Sequence, residues 1–173
     1  MRGVPADPSM DHELVTEILT NLLKAYGDWK EYTSPACNPV PYTDLMNSIE
    51  EIFDVSDDTY LHYDVSYRYY LRIGLGVWEL RLSMAGPYAY LCRISTSLSV
   101  EVITDWMQVT CPEELTLLEL LRTHGIKPLG VEELSYPIPL VLDDWEQDDV
   151  RVFHGLFCHV KGLPWDFVES DDH

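Results

Sequence analysis

From Leu61 to Ile73 every second position is apolar: Leu61, Tyr63, Val65, Tyr67, Tyr69, Leu71 and Ile73. A repeat of two belongs to a strand, whose side chains alternate between two faces. This stretch therefore predicts one strand, or two in succession. At Gly74-Leu75-Gly76 the phase shifts, and the apolar set becomes Trp78, Leu80, Leu82 and Met84. A phase shift at paired glycines predicts a tight hairpin or a bulge. Ala85-Gly86-Pro87 predicts the next turn. Tyr88, Tyr90, Cys92 and Ile94 continue the pattern, and Leu98, Val100 and Val102 predict a fourth strand. Connections this short make neighbouring strands antiparallel.

Helical spacing flanks this block. Ser9 or Asp11 can cap a first helix whose apolar face is Leu14 or Val15, Ile18, Leu19, Leu22 and Tyr26, with Gly27 as its stop. Three prolines in residues 33–41 predict a loop. Thr43 then caps a second helix through Phe53, with Leu45, Ile49, Ile52 and Phe53 inward, and Asp54 to Asp58 reads as a turn. Pro112 opens a third helix behind Thr110 or Cys111 as cap. Its acids Glu113 and Glu114 suit the helix dipole, its core stripe is Leu115, Leu118 and Leu121, and Gly125 ends it. Residues 126–142 read as loop with short elements, and 150–160 as a late strand or a short helix. The expected fold is α+β: an antiparallel sheet of about four or more strands packed by N-terminal helices and a later helix. One domain spans 1–173, with residues 1–9 and 169–173 as loose termini.

Composition adds a constraint on partners. Apolar residues make up 46% of the 173, enough for a core without disulfides or metals. Thirty acids against eleven bases leave a net charge of −19. Such a polyanion repels nucleic acid and anionic membrane and attracts basic proteins. A negative surface also serves solubility alone. The charge is uneven: residues 67–111 carry four arginines and three acids, whereas 35–66 carry seven acids and no base. No apolar run approaches the ~20 residues of a membrane span. The start, MRGVPADPSMDHE, has no apolar signal core. Cys37, Cys92, Cys111 and Cys158 form no C-x-x-C pair and no disulfide framework, and Cys92 reads as a core thiol. The expectation is a cytoplasmic protein with reduced thiols.

Catalytic patterns fail one by one. There is no G-x-S-x-G elbow and no catalytic cysteine signature, and Gly74-Leu75-Gly76 lies between strands rather than before a phosphate-binding helix. His154, Cys158 and His159 lie close together but match no standard zinc set. Acidic pairs are too common in this chain to mark an acid–base dyad. No cofactor, metal or enzymatic activity is expected. On the strands, Arg68, Tyr70 and Arg72 share the face opposite the apolar set, and phase puts Arg81 and Arg93 beside them. That face reads first as solvated, with arginine stems over tyrosine rings. Its alternative is a concave pocket for an anionic ligand, lined by Arg68, Tyr70, Arg72 and Arg81, in a ligand-binding or enzymatic domain.

The remaining signal is Asp143-Asp144-Trp145-Glu146-Gln147-Asp148-Asp149, five carboxylates in seven residues around one tryptophan. It lacks the glycine and the last glutamate of an EF-hand loop. Adjacent carboxylates repel one another, and a cation or a basic partner offsets that cost. Trp145 either anchors the loop on the core or serves as a contact residue ringed by steering charges. In size, charge, cysteine usage and architecture the chain resembles the cytoplasmic immunity proteins that neutralise bacterial polymorphic toxins. The resemblance assigns no residue a role. It implies a binding protein, an antitoxin that occludes the active site of a basic toxic enzyme. The contact residues are then Asp143, Asp144, Trp145, Glu146, Asp148 and Asp149, with Glu50, Glu51, Asp54, Asp57 and Asp58 as a second acidic patch.

Overall fold

The computed structural model describes residues 12–30, 41–60, 64–97, 99–142 and 145–166. The two termini, Leu61, Tyr63, Leu98, Cys37, Asp143 and Asp144 fall outside them. Its centre is a sheet in the order β1-β2-β3-β4-β5: Asp54–Asp57, Ser66–Ile73, Gly76–Ser83, Tyr88–Ile94 and Val100–Val102, each antiparallel to the next. A sixth short strand, β6 (Lys127–Pro128), runs parallel to the start of β4. The helices are α1 (His12–Lys30), α2 (Thr43–Glu50), α3 (Pro112–Thr123), α4 (Val131–Leu134) and α5 (Val152–Leu156). The fold is α+β, as the pattern predicts. Among the described residues no helix is long and apolar enough to cross a membrane.

Local chemistry accounts for the boundaries. Ile73 pairs with Gly76, so Gly74 and Leu75 form a two-residue hairpin loop, and Gly74 takes φ 56°. A positive φ at the first loop position is the type II′ arrangement, which matches the strand twist. Gly27, Asp28 and Trp29 have φ of 42°, 48° and 60°, so regular α1 ends at Tyr26, where the glycine stop is expected. Thr43 is the first helical residue of α2 and Tyr42 precedes it as cap, one position earlier than predicted, and α2 ends at Glu50 rather than Phe53. Residues 152–156 settle as helix. Arg151 and Cys158 on either side of it make single bridges to Pro137 and Asp64.

Three expectations change. Asp54–Asp57 is an edge strand, not a turn, and its mostly exposed polar side chains suit an edge that discourages further pairing. In α3 the buried residues are Glu114, Leu117 and Leu121, whereas Leu115 is 42% exposed. The largest change concerns the sheet faces. Tyr69, Leu71, Trp78, Leu80, Leu82, Ala89 and Leu91 pack against α2 and α3. Tyr88, Tyr90 and Cys92 lie on the other face, under α1, α4, α5 and the segment to Leu163. Residues 88 to 92 are all fully buried. The sheet is thus covered on both sides at β4, and the expected solvated face is reduced to its β2 end, where Arg72 is exposed and Arg68 and Tyr70 are half-buried. Arg93, opposite Trp78 in register, sits on the α3 face, away from Arg81.

Candidate partner-binding site

The acidic loop joins α4 to α5 and is fastened at both ends. Leu140 and Val150 are fully buried, Ile138 N–H donates to the Val150 carbonyl (3.1 Å), and Val141 N–H donates to the Trp29 carbonyl (2.9 Å). Between them Trp145 is half-buried. Its ring meets the His154 imidazole edge-on, with centroids 4.8 Å apart, and Lys161 Nζ lies 6.0 Å from its centroid. Trp145 therefore anchors the loop with one side and leaves the rest at the surface.

Glu146, Asp148 and Asp149 are exposed, the last two in a short 3₁₀ turn. None forms an ion pair among the described residues. The neighbouring cation, Arg151, points its Nη1 instead at the backbone carbonyls of Asp148 and Val150. Among the described residues, the carboxylates of Glu146, Asp148 and Asp149 thus stand without an ion-pair partner.

Two cavities of about 290 Å³ each adjoin at Lys161 and Gly162. Trp145, Asp149, Arg151 and His154 line one; Tyr60, Asp64, Arg68, Arg81 and Cys158 line the other. Asp58, exposed, pairs with Arg68 at 3.2 Å and so borders the far end of the second cavity, whereas Asp57 pairs in register with Tyr69 and belongs to the opposite face of the sheet. Of the second acidic patch, Asp58 is thus the residue placed beside these cavities.

The arginines of the alternative ligand face are already engaged. Arg81, 6% exposed, donates from Nε to Glu79 (2.6 Å) and from Nη1 to Asp64 (3.0 Å). Arg68 donates to Glu79 (3.0 Å), pairs with Asp58, and contacts the Tyr70 hydroxyl. Burial works against the charge of Arg81, but Glu79 and Asp64 more than offset it and raise its pKa. Three carboxylates surround two guanidiniums, so the group is closed rather than poised for an anion. Arg72 is exposed and stands outside the cavity lining.

The histidines are structural in geometry. His154 is 1% exposed; its Nδ1 accepts from Arg151 N–H (2.9 Å) and its Nε2 faces the Gly162 carbonyl (3.2 Å), the pattern of a neutral ring. The Tyr26 hydroxyl donates to the Gly155 carbonyl (2.8 Å) and lies 2.9 Å from His159 Nε2. Burial lowers the pKa of both rings, that of His159 from 6.5 to about 4. Cys158 is buried beside Arg81 and Asp64, and burial raises its thiol pKa. Among the described residues no three His, Cys, Asp or Glu side chains converge to hold a metal.

A pH dependence follows. Below about 6.5 the unfolded chain takes up protons that the folded rings refuse, so stability falls as pH drops from about 6.5 toward 4. His159 alone accounts for about 2 kcal/mol between pH 7 and 5. Urea midpoints at the two pH values measure it, and His159→Gln should flatten the difference.

Two features escaped the sequence pattern. Glu114, fully buried, accepts from Arg93 Nε (2.6 Å), Trp78 Nε1 (2.9 Å) and Thr110 N–H (2.7 Å). Burial pushes its pKa up, but those donors prevail and hold it at about 2. It joins α3 to the sheet and faces no cavity wall described above. The partners of Trp145, namely His154 and Lys161, come from later chain and carry no spacing signal. No protein-family profile, curated protein or solved structure matches the chain.

Proposed function

We propose that the chain is a non-catalytic binding protein of the immunity type, which neutralises a basic enzyme by covering its active site. The supporting observation is the set of exposed carboxylates of Glu146, Asp148 and Asp149, without ion pairs among the described residues, around a half-buried Trp145. Asp58, paired with Arg68, borders the adjoining cavity. Uncompensated like charges on a fastened loop cost stability in the free protein. A cationic partner turns that cost into attraction, and acids around a tryptophan give steering and register. The net charge of −19 extends the attraction beyond contact range. The proposed setting is the cytoplasm, where thiols stay reduced.

The test is inhibition. Titrating the chain into a basic enzyme captured with it from its native cell, at moderate salt, should abolish activity at one equivalent. Full activity of a saturated complex would sink the reading.

The second reading, a ligand-binding or enzymatic domain, has the cavity at Arg68 and Arg81 in its favour and their carboxylate partners against it. A thermal-shift screen with nucleotides and small anions separates the two. Stabilisation by one ligand that is lost in Arg68→Ala would favour this reading.

A further inference from the structure

A groove of about 540 Å³ runs between α1, the 3₁₀ turn Trp106–Gln108 and α3, away from the acidic loop. Leu14, Leu115, Leu118 and Ile126 form its apolar surface, Trp106 lines it too, and Asp105 and Glu119 supply carboxylates. Trp106 is 73% exposed and its neighbour Met107 76%. Two large apolar side chains left in water on adjacent positions mark an interaction surface more than a solubility-optimised one.

The turn that presents them is held rigid. Asp105 Oδ1 accepts from Met107 N–H (2.7 Å). Gln108 Oε1 accepts from Thr104 N–H (2.6 Å) and its hydroxyl (2.9 Å), and Gln108 Nε2 donates to the Val102 carbonyl (3.0 Å). Arg93, itself fixed by Glu114, donates to the Gln108 carbonyl (3.2 Å). A pre-ordered aromatic anchor loses little entropy on binding, which is how contact hot spots gain affinity.

Charge selects the occupant. A second copy brings another −19 to the contact and is repelled. Of the two cations lining the groove, Lys127 is held by Glu17 at 2.6 Å and Arg122 is exposed; the exposed Asp105 and Glu119, with Glu17, leave the rim negative by one charge, three acids against two bases. We infer that this groove docks the apolar ridge of an amphipathic segment in a cationic protein, whose lysines or arginines meet Asp105 and Glu119. The inference rests on the partner-binding reading above and adds a second anchor to it, remote from Trp145.

The probe is a fluorescent amphipathic peptide of leucine and lysine, with leucines at helical spacing, titrated into the full chain at about 300 mM NaCl, where exposed-charge attraction is largely screened. Trp106→Ala and Leu115→Glu, both at exposed positions, should each weaken binding by about tenfold or more. Glu146→Lys with Asp148→Lys and Asp149→Lys should change it little. Unchanged affinity in Trp106→Ala and Leu115→Glu overturns the groove. If the triple charge reversal alone then releases the peptide, the partner-binding reading stands without it; if no variant matters, both fall. A concentration-dependent dimer that Trp106→Ala dissolves would also overturn the inference, by making a second copy the occupant.

Discussion

Replacing Arg81 with methionine is expected to destabilise the fold by about 3–5 kcal/mol at neutral pH, the usual cost of removing one member of a buried ion group. Arg81, Asp64 and Glu79 are each at most 7% exposed. The arginine is the direct partner of both acids, at 3.0 and 2.6 Å. Methionine fills much of the same volume, so lost packing contributes little. The cost comes from two carboxylates left charged away from water, Glu79 keeping Arg68 and Asp64 keeping the Tyr60 N–H. Urea denaturation of both proteins at pH 7 reads this directly. A loss under about 1 kcal/mol would mean that the adjoining cavity solvates the acids, and that Arg81 is free for a ligand after all.

Reversing the exposed acids of the loop should do the opposite: spare the fold and damage association. Glu146→Lys, Asp148→Lys and Asp149→Lys remove repulsion within the loop, so unfolding should be unchanged or slightly harder. The association rate with a basic partner should fall by about tenfold or more at low salt and lose most of its salt dependence. Adding Trp145→Ala should instead raise the dissociation rate, with about 2 kcal/mol or more of affinity lost if the ring is an anchor. The two signatures separate steering from contact. Stopped-flow association at several ionic strengths measures the first, and dissociation by dilution the second.

How much of this was legible depends on which residues a pattern can bind. The alternation through Tyr67, Tyr69 and Leu71, the glycine hairpin and the three larger helices were all readable. Each is a local consequence of periodicity or backbone freedom. The second sheet face was not. Residues 83 to 88 connect β3 to β4 so that Trp78 pairs with Arg93 and Arg81 with Tyr90. That connection reverses side-chain parity a second time. Tyr88, Tyr90 and Cys92 therefore look away from Trp78 and Leu80, and Arg93 looks away from Arg81. A strand buried on both faces shows no alternation from which the reversal could be read. In α3, Leu115, Leu118 and Leu121 compete with Glu114, Leu117 and Leu121. The second set is buried because Glu114 finds Arg93 and Trp78, a long-range pairing invisible in local spacing. Of the candidate site, the acidic loop and its tryptophan were readable as a motif. Its position beside the cavity of Arg68 and Arg81 was not, since it depends on where α5 and the turn at Lys161 settle against β2.

Capture by a tagged chain from its native cell, at low and at moderate salt, tests the central claim most directly. The account predicts one basic protein retained near one to one at moderate salt, identified by mass, inhibited in the complex, and released by the triple lysine substitution. A crowd of basic proteins held weakly at low salt and all lost on adding more would contradict it. The charge would then be a general property of the surface, and the loop around Trp145 no site.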